Sequence, residues 1–175
     1  MLVMSNVLYT SEAIMQDALV DFTQSLPLWL QWAGVMLAAA IPFIESYFGT
    51  LIGAIAGVPL PIAVLAAVVG NVISMLVFVF LADAGRRKVL ARRGADAETD
   101  APSPRRVKVK RMFDRFGVPG VSLLGQTVLP SQITSGMMVS FGANRNVVIF
   151  WQVISIIVWA IVFALIGQAG IALFR

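Results

Sequence analysis

The sequence predicts an all-α integral membrane protein, with about three full transmembrane helices plus two Gly/Pro-broken re-entrant segments in an inverted-repeat arrangement. Three observations predict it. With 59% hydrophobic and 13% charged residues and a mean hydropathy of +0.88, the 175-residue chain has more apolar surface than one soluble domain can hide. Its cations are gathered into one stretch. Its apolar runs are broken by glycine and proline in two places, 42–61 and 117–143.

Between residues 84 and 116 lie 11 bases and 4 acids, a net charge of +7, while the rest of the chain carries −3. The positive-inside rule puts this basic loop in the cytoplasm and the protein in the cell (inner) membrane as a multi-pass chain. Basic stretches beside membrane spans face anionic lipid headgroups, so lipids rather than nucleic acid are the expected partners. The sequence has no cysteine and no histidine. Thiolate and imidazole metal sites and His-based hydrolysis are excluded, and no enzyme, cofactor or metal is expected.

Residues 1–25 carry no Lys or Arg, which the n-region of a secretory signal requires, so no cleaved signal is expected. Ser11 can cap a helix whose apolar face is Ile14, Met15, Ala18, Leu19 and Phe22, opposite Glu12, Asp17 and Asp21. It reads either as an interfacial amphipathic helix or as a tail resting on neighbouring helices.

The first membrane half, 26–83, combines span, re-entrant segment and span. Ser25-Leu26-Pro27 is a helix start, and 28–44 is apolar or small except for Gln31. Extended to Glu45 and Ser46, this run is long enough for a span, with Trp29 and Trp32 at headgroup level. Residues 46–59 are too few to cross comfortably, and Pro42 and Pro59 bracket the break. The run 60–82 is the least ambiguous span, roughly 34 Å long at 1.5 Å per residue. It ends in Asp83 and Arg86-Arg87-Lys88.

Residues 84–104 form the basic cytoplasmic loop and a flexible linker. In 105–116, Val109, Met112, Phe113 and Phe116 recur at i, i+3, i+4 and i+7 among Lys108, Lys110, Arg111 and Arg115. This spacing predicts a basic amphipathic helix lying on anionic lipid. The second membrane half, 117–175, opens with a run broken at Gly117, Gly125, Pro130 and Gly136, read as two short arms joined near Pro130. The turn Asn144-Arg145-Asn146 then leads into a last span at 147–166. If 46–59 returns to the outer face, the N-terminus is cytoplasmic. The two broken segments then enter from opposite leaflets, as in inverted-repeat transporters.

Several residues carry the functional reading. Glu45 is the one ionisable residue in the apolar stretches, either a proton-coupling group or an interfacial helix cap. Asn71, Gln126, Thr127, Gln132 and Thr134 either line a cavity or bond neighbouring helices. Gly49, Gly53 and Gly57, with Gly70 in the next span, are read first as close-packing positions, which also permit a homo-oligomer. Phe43, Tyr47 and Phe48 either hold an organic cation or anchor the interface.

Pro42-Phe43-Ile44-Glu45 resembles the Pro-x-x-Glu opening of the first re-entrant loop in the small multidrug export family, a remote relation of the DedA/VTT membrane proteins. Gly70-Asn71 is similar to that family's Gly-Asn pair. Phe113, Arg115, Gly117, Gly125, Pro130 and Gly136 resemble the DedA order of aromatic, Arg-x-Gly, Gly, Pro and Ala-Gly positions. The likeness covers roughly residues 26–165. Where DedA proteins place arginines around the second proline, this chain has Gln126 and Gln132.

The expectation that follows is a small membrane transporter, exporting small organic or cationic compounds with Glu45 as the proton-coupling group. A lipid translocator or scramblase of the DedA/VTT type is the alternative that the resemblance implies. A non-transporting structural membrane protein is the third reading.

Overall fold

A computed structural model of the chain describes residues 2–92, 104–126 and 129–173. Residues 93–103, which include all of the 94–104 linker except Pro104, and Thr127 therefore lie outside the described residues. All regular structure among them is helical: α1 (Leu2–Ser25), α2 (Gln31–Ala39), α3 (Glu45–Ile55), α4 (Leu60–Arg92), α5 (Pro104–Gly125), α6 (Ser131–Ser140) and α7 (Arg145–Leu173). Two of them, over Leu60–Val89 and Arg145–Ala169, are long and apolar enough to cross a membrane.

The chain divides into two units, Met1–Asn71 with Trp159–Arg175, and Val72–Val158. The boundaries differ from the sequential halves read from the sequence. A break in hydropathy marks where an element ends, whereas α4 and α7 run on unbroken and each contributes residues to both units.

In the first unit, α1 ends at Ser25, and Pro27, with extended backbone (φ −52, ψ 143), separates it from a single 3-10 turn at Leu28–Leu30. Helix α2 follows and stops after 9 residues. At 1.5 Å per residue this is roughly 14 Å, about half of a bilayer core, so the expected first span at 28–44 is not one helix. The cause is local. Pro42 supplies no N–H, and Phe43 (φ 76) and Glu45 (φ 53) both adopt the left-handed region that L residues rarely occupy. The chain turns there, with the Ile44 and Glu45 amides donating to the Ile41 carbonyl, and α3 runs back against α2.

The pair is held closely. A Cβ at Gly49 would lie 2.6 Å from Ala39 Cβ, and one at Gly53 would lie 2.7 Å from Ala63 Cβ. At Gly70 a Cβ would collide with the Met36 carbonyl oxygen. These three glycines bring α2, α3 and α4 together over Val35, Ala39, Ala63 and Ala67, all buried. Gly57 does not belong to that face. It has φ 88 and open space around it, so its role is the turn between α3 and α4, which only its backbone freedom permits. Pro59 lends its carbonyl to the Ile62 and Ala63 amides and so starts α4. Leu19 and Val20 of α1 pack on Ala38, Ile44 and Ile52.

In the second unit α5 is one element with a joint. Gly117 (φ 63, ψ −166) divides it into a basic arm, 104–116, and an apolar arm, 118–125. The expectation that the apolar face of the basic arm rests on lipid is corrected in part. Val109 is buried, and the Phe113 ring lies 5.9 Å from that of Phe141, just past α6, whereas Phe116 stays exposed. Periodicity located the face, and protein rather than lipid covers half of it. The apolar arm packs on α6, with a Cβ at Gly125 falling 3.4 Å from Thr134 Cγ2. Pro130 is extended and its carbonyl starts α6. Asn144 then caps α7 by accepting from the Asn146 amide at 2.9 Å.

Candidate functional site

The first unit buries polar groups at and beside the bend between α2 and α3. Glu45 opens α3 with no exposure, beside Ser46, also fully buried, and Thr50 one turn on. Asn71 on α4 is fully buried and Gln31 on α2 nearly so. Glu45, Ser46 and Asn71 each have interaction partners, and Thr50 donates to the Ser46 carbonyl at 2.7 Å. The position at the start of α3 sets the carboxyl group at the positive end of the helix dipole. Residues 1–71 contain no Lys, Arg or His, so this stretch of chain offers a carboxylate only neutral donors.

Beside the bend lies an aromatic group. Tyr47, Phe48 and Phe163 stack with ring centroids 5.0, 5.1 and 6.1 Å apart, and Trp159 adjoins Phe163 at 6.2 Å. Phe43, read with Tyr47 and Phe48 either as a cation holder or as an interface anchor, stands apart from this group and is exposed, with φ 76. Between α1 and α3 is a groove of about 480 Å³ lined by Asp17 and Asp21 over an apolar floor that includes Phe48, Ile52 and Ile55.

The second unit contains a neutral counterpart. Gln126 Nε2 donates to Gln152 Oε1 at 3.4 Å, and Gln152 Nε2 donates to Thr134 Oγ1 at 3.2 Å. Gln132 Nε2 donates to Ser74 Oγ at 3.4 Å, and Gln132 Oε1 accepts from Ser131 Oγ at 3.4 Å. Ser155 Oγ donates to the Ser122 carbonyl at 2.6 Å. All of these residues except Ser74 are buried. Among the described residues, Gln126 Oε1 and Ser122 Oγ are buried and make no hydrogen bond within the protein, so the network retains polar capacity.

The sequence-predicted site residues thus fall into two groups. Glu45 and Asn71 belong to the first unit, and Gln126 and Gln132 to the second. Gln152 and Ser155 were missed. Their signal was present as two polar residues at i and i+3 inside an otherwise apolar span, a spacing that puts both on one helix face. Of the packing positions, Gly136 is unexceptional, since a Cβ there would find its nearest neighbour, Ala82 Cβ, at 3.7 Å. Among the described residues no cluster of carboxylates is grouped to hold a metal ion. The basic residues Lys110 and Arg111 line a second groove, with Arg106, while Lys108 and Arg115 lie outside its lining.

No family model, no curated protein and no solved structure matches this chain.

Proposed function

We propose that the chain is a small, proton-coupled membrane transporter that exports small organic cations, with Glu45 as the group that alternates between proton and substrate. The observation that carries this reading is the complete burial of a carboxyl group at a helix break, in a stretch of 71 residues without a single basic side chain. A membrane setting is supported by the two long helices. Only 33% of each apolar window is buried, and Leu65, Ile73, Val77 and Leu81 on α4 stay at least half exposed, as lipid-facing residues do.

In this reading α4 and α7 cross the membrane, and the basic end of α4 faces the cytoplasm. Helices α2 and α3, of 9 and 11 residues, form one re-entrant hairpin that reaches roughly half-way through a bilayer core of about 30 Å. The apolar arm of α5 and α6 form the second hairpin. Trp29 and Trp32, both exposed at the open end of the first hairpin, sit at headgroup level. Because the first hairpin returns to the face it left, the N-terminus belongs on the outer side. This revises the expected cytoplasmic N-terminus, which required 28–44 to cross. Pro42-Phe43-Ile44-Glu45 forms the tip of this first hairpin, whereas the likeness to small multidrug export proteins sets the motif at the opening of the re-entrant loop. The groove beneath Asp17 and Asp21 has the chemistry for a lipophilic cation, with carboxylates above an apolar floor.

The test is dye flux in proteoliposomes. An inward proton gradient should drive efflux of a lipophilic cationic dye, and Glu45→Gln, which inserts normally, should abolish the pH dependence. Retained coupling in Glu45→Gln removes Glu45 from the mechanism. A second reading, lipid translocation, is favoured by the basic groove on α5. Fluorescent phospholipid moving between leaflets well above protein-free vesicles, with no dye flux, would replace the first reading by the second.

A further inference from the structure

The groove on the basic arm of α5 is built from more than surface charge. It holds about 470 Å³ and is lined by Arg106, Val107, Lys110, Arg111, Asp114 and Phe141. Two of its cations converge on one ring, with Arg106 Cζ 4.8 Å and Lys110 Nζ 5.9 Å from the centre of Phe141. The ring face attracts both, yet gathering like charges over a single ring costs repulsion that an anion between them would relieve. Asp114 accepts from Lys110 at 2.5 Å, and the lining residues together comprise three cations and this one carboxylate. The arm is fixed from below by the buried Val109 and by Phe113 against Phe141, so the cations are presented from an anchored helix.

We infer that this groove is a binding site for the phosphate headgroup of an anionic phospholipid, with Arg106, Lys110 and Arg111 as the phosphate ligands and Phe141 with Val107 as an apolar seat for the glycerol region. A guanidinium fork and an ammonium suit phosphate oxygens. The apolar residues decide between sources of that phosphate. Val107 is 40% exposed beside Phe141, and a free phosphate ion would leave both facing water, whereas the first carbons of a lipid cover them. The site is independent of the transport reading, so Glu45→Gln keeps its lipid.

Native mass spectrometry of the full chain in detergent micelles tests this, with phosphatidylglycerol and phosphatidylcholine titrated in turn. Phosphatidylglycerol should be retained preferentially. Arg106→Ala and Lys110→Ala should each weaken it about five-fold, the fold-change equivalent to about 1 kcal/mol per cation near an anionic surface. Arg105→Ala removes one charge from the same arm outside the groove lining, and should leave retention unchanged. If Arg106→Ala fails to fold, Arg111→Gln carries the same expectation from an exposed position. Equal retention of the two lipids overturns the site. So does an equal loss in Arg105→Ala, which means diffuse attraction, or displacement of phosphatidylglycerol by inorganic phosphate at matched concentration, which means a free-anion site.

Discussion

Two glycine-to-alanine substitutions, alike on paper, should move stability in opposite directions. Gly70→Ala places a methyl group on the Met36 carbonyl oxygen, 2.8 Å from its carbonyl carbon and 3.1 Å from Met36 Cα. These are backbone atoms, so no side chain can swing aside and α2 must move away from α4. Overpacking against backbone costs about 2–3 kcal/mol, the upper part of the usual range. Alanine's better helix propensity returns about 1 kcal/mol, leaving a net loss of about 1–2 kcal/mol. At Gly136 the same methyl meets Ala82 Cβ at 3.7 Å and the Phe78 carbonyl at 3.8 Å, ordinary contact distances. Only the propensity gain remains there. For a chain of this size each kcal/mol shifts the midpoint by about 2–4 °C, so Gly70→Ala should melt about 2–8 °C lower and Gly136→Ala up to about 4 °C higher. Thermal unfolding in detergent, followed by the emission of the four tryptophans, reads both. A shift of the same sign in the two variants would refute the close approach of α2 and α4 as the reason for glycine at position 70.

Further outcomes follow from the polar network and the joint in α5. Ser155→Ala, which removes the 2.6 Å bond to the Ser122 carbonyl, should cost about 0.6 kcal/mol and no more than about 1.7 in thermal unfolding. Gln152→Leu should cost more, about 1–3 kcal/mol, because Gln126 Nε2 loses its acceptor and Thr134 Oγ1 its donor inside the protein; a neutral result would show that the amide pair is not formed. Gly117→Ala should destabilise by about 1–3 kcal/mol although the nearest atom to the new methyl, Pro119 Cδ, is 3.6 Å away, since the penalty is in the backbone angles alone. Circular dichroism should show no loss of helix in that variant before melting.

The breaks in the membrane segments were legible because glycine and proline act on their own backbone. Gly117, Pro130 and Pro42 end or bend helices wherever they stand. The length of the first apolar helix was not legible, since hydropathy counts Phe43 as span-like and is blind to its positive φ. The spacing of Gly49, Gly53 and Gly57 placed three residues on one face, but the helix stops at Ile55, so the third does not share it. The amphipathic face of 105–116 was visible as a period, yet a period names the apolar side and not its cover. The bond between Gln126 and Gln152 joins residues 26 apart in sequence, and no local pattern carries a pairing at that distance. What the sequence did mark was Glu45, through the cost of a carboxylate among apolar residues, and the fold buries it completely.

The joint at Gly117 also decides how a push on the basic arm travels. An unbroken α5 would act as a rod, passing any displacement of 104–116 straight to 118–125. A residue at φ 63 and ψ −166 sets a kink between two helical arms, which a stiff rod does not have. The firmer load path leaves the helix sideways, through the ring of Phe113 to the ring of Phe141, and from there into the C-terminal turn of α6. Tension on the basic arm is therefore felt first where α6 turns toward α7, and the apolar arm behind the joint is shielded from it.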